Sequence, residues 1–375
     1  MFKTIYPIKD TTLYSQFIEQ NFGVDQILEI SKKAIGSPSI ENNESVFWAA
    51  TYNSRILIQF DLTQISSSIN NGKITGDALY YLTLKSTDSI NLPTEYSIYA
   101  YPVSESWSNG RGFANNNPQI TDGVSWRYRD SKLTGTLWTT SSYGPNTTGS
   151  FQTIAHGGTW FTSSAASQSF SLSDPDIRMD VTSIVHQWLS GSITNNGFIL
   201  KLSDEVEQDT SEFGSIKFFS RETHTIFIPR LEVYWNDNDL SGTGSFTEIG
   251  SDDFVLYLKN LRESYSDSEI PKVRIGVRDR YPTQTYSTSS NYLNSNILPT
   301  SSYFQIQDVV TDDVIIPFHP SGTKINCDTN GNWFKADMSS LLPERVYKFV
   351  FKAEFDGSDT IRTIDDNYIF KVKRN

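Results

Sequence analysis

Cysteine is almost absent: Cys327 is the only one in 375 residues. No intramolecular disulfide is available, so the fold must stand on packing. Cys327 has no local Cys/His motif beside it and reads as a small side chain buried in a strand. Blocks of basic residues are missing too, the longest being the pairs Lys32–Lys33 and Lys373–Arg374, and the net charge is −12. A protein that grips a phosphate backbone needs a basic stripe to release counterions, so nucleic acid is not an expected partner. No stretch approaches the ~20 apolar residues of a spanning helix, and no membrane partner is expected. Met1 to Lys9 lacks the apolar core of a signal peptide, which predicts a soluble product made in a cytoplasm.

Groupings that carry chemistry are also scarce. His156, His186, His224 and His319 are scattered, with no metal-ligand pair or triad motif. The acidic pairs Asp252–Asp253, Asp312–Asp313 and Asp365–Asp366 each precede an apolar run, where turns sit. Neighbours on a strand point to opposite faces, so such pairs do not converge on one bond as a glycosidase requires. No catalytic residues are assigned, and the expectation is a protein that is not an enzyme.

Aromatics are plentiful, with 23 Phe, 19 Tyr and 8 Trp against 3 Met. Together with long Ser/Thr/Asn stretches between apolar runs, they point to an all-β chain. In Arg55–Asp61 the residues Ile56, Ile58 and Phe60 share one strand face, and Leu57 adds apolar area to the other. Ala78–Lys85, Tyr96–Val103, Phe198–Leu202, Lys217–Arg221 and Pro229–Trp235 read as further strands, with Asp88–Pro93 as a loop. One helix is predicted, with Asp180 as N-cap, Val181, Ile184, Val185 and Trp188 on one face, and Gly191 at its close. The second half adds strands at Phe254–Leu258, Val273–Arg278, Val314–Phe318, Tyr347–Phe355 and Tyr368–Val372. The polar stretch at 237–245 is the predicted linker between domains at 1–236 and 246–375. The fold class expected is therefore two antiparallel β-sandwich domains, the first with one short helix.

Residues 104–165 form a long aperiodic region, and loops of that length are often functional. They hold Trp107, Trp126, Trp138 and Trp160 with Tyr128 and Tyr143, which as exposed rings would stack on sugar faces. Packing of the loop or contact between subunits is the plainer role. In the predicted linker, Asp237, Asp239, Ser241 and Glu248 match the spacing of oxygen ligands in a calcium loop. Against an EF-hand, Gly244 stands where an apolar residue belongs and a strand precedes the loop. A calcium-stiffened linker is the one cofactor expectation.

Several motifs in order resemble a known family. They are Asp10–Tyr14, Asn21-Phe22-Gly23, Ile27–Ile30, Arg55–Asp61, Trp107–Gly110 and Asp122–Trp126. Asp180-Val181-Thr182, Trp188-Leu189, Asn196-Gly197-Phe198, Phe219–Glu222 and Pro229-Arg230-Leu231 follow. Over roughly residues 5–236 the set resembles the DNRLRE family, which implies a jelly-roll-like β-sandwich. Arg278–Pro282, Leu298–Tyr303, Val314–Phe318, Leu342–Tyr347 and Asp365–Val372 are similar to C-terminal regions of virion structural proteins from T4-like and marine phages. The resemblance implies a non-enzymatic neck, tail or baseplate component of a virion, assembled in the host cytoplasm. Its partners would be other virion proteins, met in several symmetry-related copies. Some DNRLRE relatives are polysaccharide-binding modules, so the alternative it implies is an adhesin for host surface polysaccharide.

Overall fold

The computed structural model describes residues 1–41, 44–74, 77–131, 135–139, 157–171, 174–209, 211–251, 253–281, 296–355 and 360–375, and for 34–50 the backbone alone. The strands begin with Phe2–Ile5 (β1), Pro7–Tyr14 (β2), Ile27–Glu41 (β3) and Glu44–Phe60 (β4), followed by the helix Thr63–Asn70 (α1). Next come Leu79–Leu84 (β5), Ser86–Ile90 (β6), Glu95–Pro102 (β7), Tyr128–Asp130 (β8), Thr136–Leu137 (β9), Ala166–Ser171 (β10) and Ile177–Asp180 (β11). The helix Thr182–Leu189 (α2), Phe198–Leu202 (β12), the short helix Asp204–Gln208 (α3), Gly214–Phe219 (β13) and Arg230–Tyr234 (β14) complete the first half. The second half holds Phe254–Leu258 (β15), Ser264–Ser266 (β16), Lys272–Asp279 (β17), Ser302–Asp308 (β18) and Val314–Ile316 (β19). Asn326–Asp328 (β20), Gly331–Lys335 (β21), Val346–Phe355 (β22) and Thr360–Lys373 (β23) end it. The fold is all-β and largely antiparallel.

The chain divides into two compact units, Ile5–Ser66 with Leu79–Glu232, and Met1–Thr4 with Ser67–Ala78 and Val233–Asn375. The N-terminal unit has a large sheet in the order β10-β7-β12-β4-β3-β13-β6, with β2 also paired to β4, and a smaller sheet in which β5 lies between β14 and β11. Register places Phe198 opposite Ile58 and Pro102, and Leu200 opposite Ile56 and Ala100. These side chains form the buried inner face of the large sheet, as the alternation in Arg55–Asp61 predicts. Trp188 of α2 packs on Phe198 at 4.5 Å. Gly191 does follow the helix with positive φ, but the N-cap is Val181, and the Asp180 carboxylate accepts from Thr182 N–H at 2.9 Å instead. Asp88–Ile90, read as loop, belongs to β6. That strand is polar and solvent-facing on both sides, so it carries no apolar alternation, and pairing with β13 defines it.

In the C-terminal unit a sheet in the order β15-β17-β21-β20 accompanies one in the order β16-β23-β22-β18-β19. Among the named strands of the described residues only β16 and β23 pair in parallel. In β22 Tyr347, Phe349, Phe351, Ala353 and Phe355 are buried, as their phase predicts. Their rings join a cluster in which Phe304–Phe334, Phe349–Phe370 and Phe334–Phe349 centroids lie 4.4, 4.5 and 5.0 Å apart.

The stretch at 237–245 is not a free linker. Cys327 N–H donates to Asp239 O at 2.8 Å, and Gly242 N–H donates to Cys327 O at 3.0 Å. Asp239 N–H donates to the Asn326 side chain at 2.7 Å. The segment thus runs along β20 and supplies an edge strand with main-chain partners. Gly242 is required there, because a Cβ would collide with the carbonyl of Asp328. Gly242→Val should destabilise the C-terminal unit by about 1–3 kcal/mol, as steric insertion into a packed site does. Urea unfolding followed by fluorescence checks this, and an unchanged midpoint would contradict the close packing.

Candidate functional site

The large sheet of the N-terminal unit has a second apolar face. Leu13 on β2, Leu57 on β4 and Ile199 on β12 form one buried cluster with Val103, Trp107, Val124, Trp126, Trp138 and Trp160. The long aromatic region therefore folds back over the outer face of the sheet, and this is what Leu57 packs against. Each indole removes about 150–250 Å² from water, worth roughly 4–6 kcal/mol. Trp107 Nε1 donates to Asn196 O at 2.8 Å and Trp138 Nε1 to Ser125 O at 3.1 Å. Burial of all four tryptophans corrects their assignment as a sugar-stacking platform, since their faces are occupied by the sheet and by cations. Tyr128 is half-buried in the β8–β9 ribbon, and Tyr143 lies outside the described residues.

Beneath the indoles sits a charge that periodicity alone does not predict to be buried. Arg55 is 1 % exposed, with its guanidinium 4.8 Å from the Trp126 ring and 5.0 Å from the Trp160 ring. Its Nε and Nη2 grip the buried Glu207 carboxylate at 3.0 and 2.7 Å, and Nη1 donates to Gly157 O at 2.7 Å. Lys201, also buried, reaches Glu207 at 3.0 Å and the exposed Asp204. Glu207 lies on α3, whose N-cap is Ser203, the Oγ accepting from Val206 N–H at 3.2 Å. The other end of α3 is tied down by the buried Lys32, which donates to Val206 O and to Asp209 O. Burial lowers the Lys32 pKa from its usual lysine range. One short helix thus fastens β3, β4 and β12 through Lys32, Arg55 and Lys201.

The cap is pinned at its other end by Asn21. The side-chain amide donates to Asn109 O at 2.8 Å and Val124 O at 2.7 Å, and its Oδ1 accepts from Gly23 N–H at 3.1 Å and Gly112 N–H at 2.8 Å. Gly110, with φ +78°, passes so close that a Cβ would overlap Asn21 Oδ1 and Asp122 O. Asp10 makes a third tie, its buried carboxylate accepting from Arg221 N–H at 2.7 Å. Burial pushes the Asp10 pKa up to about 7. Burial likewise pulls Lys9 down to about 8; its ammonium stands 4.1 Å over the Trp107 ring.

The segments carrying Leu13, Asn21, Arg55, Leu57, Trp107, Val124 and Trp126 meet on this outer face, whereas Trp188 packs on the inner one. What they build is a clamp, in which every polar atom of Asn21 and every nitrogen of Arg55 is engaged by protein. Asn21, Arg55 and Asp10 were visible in the sequence as motif members, but Glu207, Lys201 and Lys32 were not singled out. A charge at an outer-face position next to Leu57 was the available signal. No protein-family model matches the chain, and no curated protein does.

The calcium-loop residues do not converge. Asp237 Oδ1 pairs with the Met1 ammonium at 2.6 Å, Asp239 Oδ1 accepts from Ser241 N–H at 3.1 Å, and Glu248 bridges to Ile297. The Ser241 donors hold the Asp239 carboxyl below the ordinary carboxylate range. Among the described residues no group of three or more His, Cys, Asp or Glu side chains is arranged to hold a metal ion. Spacing satisfied the calcium pattern, but turns and main-chain pairing along β20 use the segment otherwise.

Three outcomes are expected. Glu207→Gln strands two buried cations and should cost about 3–5 kcal/mol, partly restored by Lys201→Met in the same chain; a urea double-mutant cycle reads both. Asn21→Ala leaves two buried N–H groups and two carbonyls short of partners, at roughly 1–3 kcal/mol each. Near-ultraviolet dichroism of the indoles should then fade at lower urea than the far-ultraviolet signal. Asp10 has a folded pKa above its unfolded value, so the native state binds the extra proton. Its contribution to stability is present at low pH and is lost as pH rises from about 4 through 7. Asp10→Asn should lose about 2–3 kcal/mol less than the parent between about pH 5 and 8, and parallel pH profiles would refute the assignment.

Proposed function

We propose that the chain is a non-enzymatic structural component of a tailed-phage particle, in the neck, tail or baseplate, that works through protein–protein contacts. The N-terminal unit is read as a DNRLRE-type sandwich and the C-terminal unit as a virion-protein module, on the motif order in each half. The observation that carries the contact role is the open edge of β23. This strand pairs with β22 along one side, while on the other β16 meets only Lys371–Lys373. The stretch 361–369 has no strand partner on that side among the described residues. Ile361 and Ile369 on it are 61 % and 43 % exposed. A long edge with apolar side chains is a template for another chain.

The same edge carries safeguards suited to a subunit that must stay soluble before assembly. A register shift sets Asp365–Asn367 across from Val350, with Asn367 at φ +57°, and Arg362, Asp365 and Asp366 are exposed. Bulges and charges on an edge slow indiscriminate pairing. The long aromatic region supports the same reading, since its four tryptophans are engaged in the interior of the unit.

Quantitative mass spectrometry of washed particles tests the proposal. A copy number small against the major capsid protein and compatible with a ring symmetry is expected. Absence from the particles would overturn it. Amides of residues 361–369 should exchange faster in the free chain than in the particle, and equal protection in both would remove β23 as the contact edge.

A further inference from the structure

The outer face of the four-stranded sheet in the C-terminal unit carries a charge pattern that its own folding does not require. On β17 Lys272, Arg274 and Arg278 alternate with the buried Val273, Ile275 and Val277. Register sets Lys335 opposite Lys272, Trp333 opposite Arg274, Tyr257 opposite Gly276, and Val255 opposite Arg278. Lys259 continues the row beyond β15, its N–H bonded to Arg274 O at 2.9 Å. Lys259, Lys272, Arg274, Arg278 and Lys335 thus share one face of a chain whose net charge is −12.

Among the described residues Asp328 is the one carboxylate in ion-pair contact with them, and Asp239 lies within electrostatic range of Lys272. Asp328 is held by the two Nη atoms of Arg274 at 2.5 and 2.8 Å and by Lys272 Nζ at 2.9 Å. Among the described residues no ion pair reaches Lys259, Arg278 or Lys335, and Arg278 Nη1 donates only to Asp279 O. Lys272 and Lys335 stand directly opposite each other, a like-charge pairing that weakens a sheet. Both ammonium groups lie over the Trp333 ring, at 3.8 and 5.3 Å, and the buried Trp333 Nε1 has no acceptor. Tyr257 lies across Gly276 and is 38 % exposed.

We propose that this sheet face docks a carboxylate-rich segment of a partner protein. Arg278, Lys335 and Lys259 receive its Asp and Glu side chains as Arg274 and Lys272 already receive Asp328. Tyr257 supplies flat contact area between them, while the buried Trp333 ring backs the two lysines. A fork of Arg nitrogens matches a carboxylate edge-on, which is the geometry Arg274 shows. A nucleic acid is the weaker fit, because a long polyanion would run beyond the patch onto the acidic remainder of the chain, whereas a short acidic segment meets the patch alone. This assignment deepens the protein-contact reading and rests on it.

The full chain is titrated with a fluorescein-labelled oligoglutamate peptide, with an oligothymidylate of equal charge run in parallel. Peptide binding should weaken about tenfold or more between about 50 and 500 mM salt, as screening requires. It should weaken comparably in the triple variant Lys259→Glu, Arg278→Glu, Lys335→Glu. If that variant fails to fold by circular dichroism, Arg278→Gln alone, on a half-buried outer position, should still weaken binding several-fold. No peptide binding at low salt, binding unchanged by the variants, or tighter binding of the oligothymidylate would each overturn the proposal. A chain present in particles whose free form ignores the peptide would sink the docking face and leave the structural role standing.

Discussion

A guanidinium removed from water must find a carboxylate, and in the N-terminal unit that requirement organises a whole layer. Uncompensated, the buried charge of Arg55 would cost several kcal/mol. Glu207 meets it with two parallel bonds and is shared by Lys201, whose own charge is answered by Asp204. Because Glu207 sits on a helix of five residues, α3 is held where the strands need it, although so short a helix has no stability of its own. The tryptophans close over the pair and exclude water, which strengthens the interaction they cover. Charge, helix and aromatic cap are thus mutually dependent.

The same dependence explains why a long region without periodicity is nevertheless ordered over its described length. Its indoles alone are non-directional and would tolerate many arrangements. Direction comes from polar groups with fixed demands: Asn21 offers two donors and two acceptor positions, and four main-chain groups from three segments satisfy them. An apolar side chain in place of Asn21 would keep buried area under the cap but lose the bonds that set its register. The main-chain nitrogen of Arg221 on Asp10 extends this principle to the loop after β13.

The sequence was most legible where one periodicity ruled. The aromatic phase of Tyr347–Phe355, the apolar phase of Ile56, Ile58 and Phe60, and the face of the α2 helix all reappear as buried rows. Legibility failed where partners are distant in the chain. The pairing of Arg55 with Glu207 spans 152 positions, and no local pattern announces it. Four tryptophans in a Ser/Gly/Asn-rich stretch suggest an exposed platform because composition says loop, yet a second apolar face on the sheet, hinted at by Leu57, takes them inside. The 237–245 segment failed for a related reason. Its polar, glycine-containing character is equally suited to a free linker and to a strand-like segment whose backbone is satisfied by an edge, and only the edge β20 decides between them.

Arginine–carboxylate recognition recurs in both units with opposite completeness, and the contrast bears on how the protein works. Around Arg55 each cation has its carboxylate and both members of the Arg55–Glu207 pair are buried. Around Arg274 the same fork is present, but the face continues into Lys259, Arg278 and Lys335 without matching acids, beside an exposed ring. Cations left unmatched on a β surface in an acidic protein repel one another, and folding alone gives no reason to gather them there. A closed network serves to hold a unit together, whereas an open one retains affinity for what is outside. Among the described residues these cations without ion-pair partners stand in the same unit as the unpaired edge of β23.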